Sequence, residues 1–411
     1  MFLTDPQKKM LSGELGSAVQ RSIELLVAVG ECFGAEQMIP VASAHLVAAT
    51  PTTAGKGGVK FIQDMKDKGG RFIVPVTTNP NCVEPAQWSK MGFPEDLFNA
   101  SEALTSSLAQ MGAYSTQTCT PYLIGHAPCY SQHLAWGESS AIVYSNSLIG
   151  SRTNREGGPT ALASAITGLT PAYGLHLPEN RRPALRISVE VPLGSEYEYA
   201  LAGYYTGKVS GDRVPLIVGI PPTASPDELK CFGAAAAVSG AVALFHAAGV
   251  TPEARVDASV SEAHIPESES YRFGRSELTS MQELNELEAA DAADLVILGC
   301  PHASVAQLRN WARSVAGKKV KSSRAFWILC SSVVKNYAGI LGYLDIFEEA
   351  GVRLVANTCP AAMPRDYFRN QGFSCVATDS PKLRYYASTR QNVRAHCSSL
   401  QAILDSSLAA R

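Results

Sequence analysis

Apolar residues recur at three-to-four spacing from Leu11 through Leu15, Val19, Ile23, Leu26 and Val27, which predicts one helix over residues 7–35. A short strand is expected over Met38–Val41, followed by a polar loop that begins Ser43-Ala-His45. Gly55-Lys-Gly-Gly58 opens the next predicted helix, Val59 to Lys68, and Arg71 to Val76 reads as a strand ending in Thr77-Thr-Asn-Pro80. The Gly55–Gly58 loop is not a phosphate-binding P-loop, because its lysine is not followed by Ser or Thr at the required place.

The segment from Cys119 to Pro159 sets polar groups among small residues and is too polar to be buried without partners. Within it, Tyr130 to Ala141 reads as a loop entering a helix, and Ser151 to Pro159 as a loop. From Leu185 to Pro221 the pattern predicts β-branched strands joined by glycine-containing turns. An Ala-rich helix then starts at Ser225-Pro-Asp-Glu228, with Ser at the N-cap, Pro at N1 and Glu at N3, and Gly249 suits its stop. The uncharged run Phe232–Val250 lacks an aromatic belt and basic flanks, so a closely packed buried helix is expected there rather than a membrane span.

From about Ser276 the chain alternates regularly. Strands at 294–299, 325–330 and 353–356 and helices at 303–315 and 335–350 predict a doubly wound parallel sheet. No GxGxxG follows its first strand, which argues against a dinucleotide site. The expected fold class is therefore α/β, in three domains: 1–184, 185–275 and 276–411.

Charge and cysteine usage narrow the function. Lys plus Arg number 35 against 37 Asp plus Glu, with no basic stripe, so a nucleic acid or membrane partner is not indicated. Ten cysteines in 411 residues form no paired framework, and the first residues carry no signal-peptide pattern; a reducing cytoplasmic setting fits best. A small polar substrate is the expected ligand.

Cys300 and Cys359 follow apolar runs that read as parallel strands, and Cys119 lies in a Thr118-Cys-Thr-Pro turn. Loops after strand carboxyl ends are where ligands bind in open α/β sheets. Three thiolates around an iron–sulfur cluster would leave one iron open to substrate. The spacing alone does not establish this, since most scattered cysteines are small buried residues.

Longer motifs carry a resemblance. Thr118-Cys-Thr-Pro-Tyr122, Ala135-Trp-Gly-Glu-Ser-Ser-Ala, Arg152-Thr-Asn-Arg-Glu-Gly-Gly-Pro159, Tyr173 to Arg181, Gly299-Cys-Pro-His302 and Asn357-Thr-Cys359 together closely resemble aconitase X, across essentially the whole chain. The resemblance implies an aconitase-like core and a hydro-lyase that dehydrates cis-3-hydroxy-L-proline or mevalonate 5-phosphate. It implies an iron–sulfur cluster, [4Fe-4S], [3Fe-4S] or [2Fe-2S], held by Cys119, Cys300 and Cys359. It also implies pocket residues at Ala48, Ala49 and Thr50, at Asn79 and Pro80, at Glu138 and Ser139, and at Lys382.

Two departures from the family pattern bear on substrate and assembly. Ala48-Ala-Thr50 stands where the mevalonate-phosphate enzymes usually have Gly-Val-Ser, which keeps a hydroxyl but makes the wall bulkier. The swivelling domain that many relatives carry fused at the C-terminus is missing, so a separate small subunit is expected, making a heterodimer. On both family substrates the task is to remove a weakly acidic proton beside a carboxylate and expel hydroxide.

Each candidate has a plainer reading. Glu138 and Ser139 are expected to face substrate or cluster, against an ordinary helix-start cap; Lys382 is a carboxylate or phosphate ligand, against a solvated lysine. Asn79 and Pro80 compete with a turn role, and Arg152 and Arg155 with structural pairing. His45 and His302 flank the site loops and read more readily as structural than as bases. Cys330 ends a strand of the same sheet and is the decoy ligand.

The expected function is dehydration of a small β-hydroxy acid, cis-3-hydroxy-L-proline first and mevalonate 5-phosphate second. An iron–sulfur sensor without catalysis and a metal-free structural subunit are the rivals from other classes.

Overall fold

The computed structural model describes residues 1–262, 265–285 and 293–410. The chain divides into two compact units, 1–182 and 183–411. In both, parallel sheets are covered by helices, the α/β class that alternating strand and helix patterns dictate.

In the first unit, helices Asp5–Leu11 and Ser17–Cys32 replace the single helix expected over 7–35. Gly13 and Gly16 adopt φ of 84° and 98° and break the helix where the apolar period continues unbroken. Strand Met38–Pro40 pairs antiparallel with Leu169–Pro171. The site is built on a separate three-stranded parallel sheet, ordered Val76–Thr78, Ala44–Leu46, Ala135–Trp136.

Ala44–Leu46 is thus a strand where a polar loop was expected; all three of its residues are buried, and His45 Nδ1 bonds to Thr77 on a neighbouring strand. The strand expected over 71–76 shrinks to Val76–Thr78, because Phe72 and Ile73 give their N–H groups to the Met111 and Ala165 carbonyls instead of a ladder. The helix between these two strands begins at Pro51 rather than at Val59 and is kinked at Gly55, whose φ is 64°.

In the second unit, a four-stranded sheet orders His246–Ala247, Pro215–Val218, Leu185–Val189 and Ser270–Phe273, all parallel. The segment expected to be strands and turns between Leu185 and Pro221 contains a helix, Glu196–Ser210. Its tyrosines favour strands locally, but Tyr197, Tyr199 and Leu201 are all buried, so packing on several sides erases the one-faced period that marks a helix.

That helix packs on Pro226–Gly240 through glycines. A Cβ on Gly203 would lie 2.1 Å from the Phe232 carbonyl oxygen, and one on Gly240 would lie 1.7 Å from that of Gly207. This explains the uncharged small-residue run, which ends at Gly240 and left-handed Ala241 (φ 68°) rather than at Gly249. Among the described residues no helix is long and apolar enough to cross a membrane.

The C-terminal sheet orders Val352–Ala356, Ala325–Cys330, Leu295–Leu298, Cys375–Thr378 and Arg394–Cys397, all parallel. Chain order runs outward on one side of Leu295–Leu298 and then restarts on the other. The reversal between Leu295–Leu298 and Cys375–Thr378 is a topological switch point. The core behind the sheet includes Val296, Leu298, Trp311, Phe326, Ile328 and Phe347. The helix expected over 335–350 is two, Ser332–Ile340 and Tyr343–Ala350, separated at Gly342 with φ 73°.

Candidate active site

In the first unit the motif residues leave one sheet edge. The carboxyl ends of the three parallel strands, at Leu46, Thr78 and Trp136, lead into Ala48–Thr50, Asn79–Pro80 and Glu138–Ser139 respectively. Cys119 joins them: Tyr114 bridges to Thr77, and the Thr118 N–H donates to the Thr78 carbonyl at 3.0 Å, so this segment extends the same sheet. Residues spread over 92 positions of sequence, from Ala48 to Ser139, thus reach one edge because parallel strands send their loops the same way.

The loop at 48–50 is tightly held. Ala48 has φ 54°, and a Cβ on Gly158 would meet the Val47 carbonyl oxygen at 2.9 Å. Ala48 and Ala49 line an apolar cavity of about 240 Å³ with Leu46, Phe61, Leu108 and Leu162. Thr50 is buried at the N-cap of the next helix and shares hydrogen bonds with Thr52 and Thr53 at 3.0 and 2.8 Å.

Glu138 is a helix cap: its Oε2 accepts from the Ala141 N–H at 2.8 Å, and Ser139 Oγ donates to its Oε1 at 3.4 Å. The plainer reading of this residue is therefore present, and it fixes the carboxylate at the sheet edge with Ser139 half-buried beside it.

Beneath these loops lies a pair of histidines, of which only His45 was a sequence candidate. Thr77 Oγ1 lies 2.8 Å from His45 Nδ1 and 2.8 Å from His126 Nδ1. A hydroxyl has one proton, so it donates to one ring and accepts from the other, which couples the two tautomers. Burial, then the charge of His126, lowers His45 to about 3, with Glu138 and Asn79 opposing; burial lowers His126 to about 4. Both rings are neutral at pH 7. Asn79 Oδ1 is buried beside His45 without a hydrogen bond of proper geometry. His126 follows left-handed Gly125 after a short 3-10 turn, and no periodicity marked it.

The second unit brings Cys300 and Cys359 to one edge as well. Cys300 follows strand Leu295–Leu298 and Cys359 follows Val352–Ala356, and both thiols are partly exposed. Gly299 makes the first turn possible: its φ is 86° and a Cβ would lie 2.3 Å from the Leu329 carbonyl oxygen. Asn357, with φ 61°, turns the second. His302 Nε2–H donates to the Thr358 carbonyl at 2.9 Å and joins the two loops.

The Cys300 loop is braced by buried charge. Lys230 Nζ donates to Asp227 at 2.7 Å, to Gln307 Oε1 at 2.6 Å and to the His302 carbonyl at 3.4 Å. Glu196, Cys231, Cys300 and Asp379 line a narrow cleft at the switch point. Burial, and then Glu196, pushes the Asp379 carboxyl up to about 7. None of these bracing residues was a sequence candidate; they are scattered polar positions whose only shared feature is the fold.

Lys382 lies in the first turn of helix Pro381–Thr389, after strand Cys375–Thr378, and is 5% exposed, so it is no solvated surface lysine. Cys330 is fully buried, whereas Cys300 and Cys359 are not. Near Arg152 in sequence the loop is tied down by Arg181, which donates to the Leu175 and Ser151 carbonyls at 3.0 Å.

The donor set fits an iron–sulfur cluster: thiols suit iron and sulfide, and two of them are partly exposed in loops stitched to each other. Among the described residues no group of three His, Cys, Asp or Glu side chains is gathered so as to hold a metal ion.

Comparisons with known proteins agree along the chain. Family models described as the first, second and third domains of aconitase X match residues 1–179, 183–283 and 293–409. The chain is 40% identical to the phosphomevalonate dehydratase large subunit of Methanothermobacter thermautotrophicus, over 94% of both chains. It is 31% identical to the cis-3-hydroxy-L-proline dehydratase of Hypocrea jecorina, covering 98% of this chain but 68% of that one. The crystal structure of Thermococcus kodakaraensis aconitase X in its holo-form superposes with a TM-score of 0.89 at 32% identity, over 99% of this chain and 100% of that one.

Proposed function

The chain belongs to the aconitase X family and is an enzyme of the hydro-lyase class, and from that premise we propose that it dehydrates a small β-hydroxy acid as the large subunit of a two-subunit enzyme. The observation that carries this reading is the convergence of the motif residues on carboxyl sheet edges: Ala48–Thr50, Asn79–Pro80, Cys119 and Glu138–Ser139 on one, Cys300, Cys359 and Lys382 on the other.

Cys119, Cys300 and Cys359 hold the iron–sulfur cluster, which when bound supplies a Lewis-acidic iron that makes the substrate hydroxyl a better leaving group. Lys382 neutralises the substrate carboxylate, which favours the negative charge that builds as the neighbouring proton leaves. Glu138, fixed by its cap bond, and Ser139 are the groups of this chain placed to hold or move that proton. Ala48 and Ala49 present the apolar cavity to the carbon skeleton. Asn79 and Pro80, which follow strand Val76–Thr78, contact substrate at the same edge.

Two substrates are in view. cis-3-Hydroxy-L-proline is favoured by the uncharged lining at Ala48–Ala49. Mevalonate 5-phosphate is favoured by the greater identity to large subunits of phosphomevalonate dehydratases, 40% and 38% in two methanogens. A small-subunit partner follows from those same relatives. Ten thiols with no disulfide support a reducing, cytoplasmic setting.

The test is anaerobic co-expression with the small subunit, followed by dehydration assays on both compounds. Turnover of one, lost on Cys300→Ser, establishes the function and its substrate. No turnover of either by cluster-loaded complex removes this reading and leaves the sensor role.

A further inference from the structure

We propose that the outward face of helix Ser332–Ile340 is the seat of the small subunit, which meets it with an uncharged apolar surface. This rests on the two-subunit reading above. Val333, Tyr337 and Ile340, with Leu341 just past the helix end, recur at spacings of four, three and one and form a single stripe. They are 37%, 55%, 80% and 48% exposed.

A helix at a protein surface ordinarily turns polar residues outward. This one does not. Its inner face, Val334 and Ala338, is buried in the sheet core, and its one charged residue, Lys335, donates to the Leu354 carbonyl at 3.1 Å. The stripe therefore offers apolar surface without a charge to keep it in water. Four such side chains expose an area on the order of a few hundred Å², the size at which an apolar patch marks an interaction. A stable interface needs roughly 800 Å² per partner, so the stripe suits the dry centre of a larger contact with a polar rim.

Its place in the fold selects the occupant. Ser331 caps the helix by accepting from the Val334 N–H at 3.1 Å, and the Ser332 N–H donates to Asn357 Oδ1 at 2.8 Å. Asn357 is two residues before Cys359, so the helix starts at the edge that carries the paired thiols. A subunit that completes the site must stand beside that edge; a second copy of this chain has no such requirement. Relatives named large subunits are matched over 94% and 92% of their own lengths, so in those proteins the remainder of the enzyme is a separate chain.

The experiment measures binding of purified small subunit to the full, cluster-loaded chain by sedimentation, for wild type, Tyr337→Glu/Ile340→Glu, and Asn310→Glu on the exposed side of another helix. The expected result is at least tenfold weaker binding for the double variant alone, with iron and sulfide content and circular dichroism unchanged. A conservative Ile340→Val binds as wild type. Unchanged binding by the double variant overturns the docking face while leaving the two-subunit reading intact. Loss of self-association with small-subunit binding retained overturns it in favour of a second copy. Failure of the wild type to bind any small subunit defeats both readings together.

Discussion

His302 and Thr358 connect the two loops that end in Cys300 and Cys359, the imidazole Nε2–H donating to the carbonyl at 2.9 Å across the width of the intervening strand Ala325–Cys330. The ring is 1% exposed, so this bond is made away from competing water. His302 thus acts on the thiols through the backbone of both loops.

A first prediction follows from that bond. His302→Ala is expected to shorten the lifetime of the bound cluster in air several-fold while the chain stays folded, and His302→Gln, which keeps a donor, to recover part of it. The decay of cluster absorbance and the electron paramagnetic resonance spectrum report this directly. Identical decay in wild type and His302→Ala would assign the bond to local stability only.

Cysteine replacement separates ligands from packed thiols. Cys119→Ser, Cys300→Ser and Cys359→Ser are each expected to lower iron and sulfide content to a small fraction of wild type. Cys330→Ser, at a fully buried position in the sheet core, is expected to retain the cluster and lose about 1–3 kcal/mol of stability through its buried hydroxyl. Iron assay and urea unfolding distinguish the two behaviours.

The glycine contact between helices Glu196–Ser210 and Pro226–Gly240 has no room for a methyl group. Gly240→Ala would place Cβ 1.7 Å from the Gly207 carbonyl, which the helices can relieve only by moving apart. A loss of about 3 kcal/mol or more is expected from overpacking of this kind, read as a lower denaturation midpoint.

The His45–Thr77–His126 group sets a pH dependence. Both rings have lowered values, about 3 and about 4 against 6.5. On unfolding below pH 6.5 they take up protons that the folded state does not hold. Their contribution is complete above that pH and is lost as pH falls toward 4 and 3. Each ring contributes a slope of up to about 1.4 kcal/mol per pH unit in that window. Comparing unfolding at pH 7.5 and 5.0, His126→Gln is expected to lose less stability on acidification than wild type. An equal loss in both proteins would show that this histidine is protonated in the folded state.

Much of the fold could be read from runs of apolar residues, and where it could not the reason is physical. The C-terminal strands at Leu295–Leu298, Ala325–Cys330 and Val352–Ala356 were legible because a parallel strand covered on both faces is continuously apolar. Helix Glu196–Ser210 was not, because it is buried on several sides and its tyrosines favour strands. The break at Gly13–Gly16 and the stop at Ala241 depend on backbone conformation that apolar spacing does not encode.

The site divides the same way. The sequence by itself determined the chemistry available: three cysteines in distinctive motifs, Glu138 and Ser139, Lys382 and the short loops at 48–50 and 79–80, together with the family they resemble. Only the tertiary structure decided that Ala48, Asn79, Cys119 and Glu138 share one sheet edge, because parallel pairing aligns loops distant along the chain. It alone decided that Lys382 is buried, that His126 joins His45 through Thr77, and that Lys230 and Gln307 brace the Cys300 loop. Hydrogen bonds of that kind reach across 49 and 77 positions, and no local pattern carries such a distance.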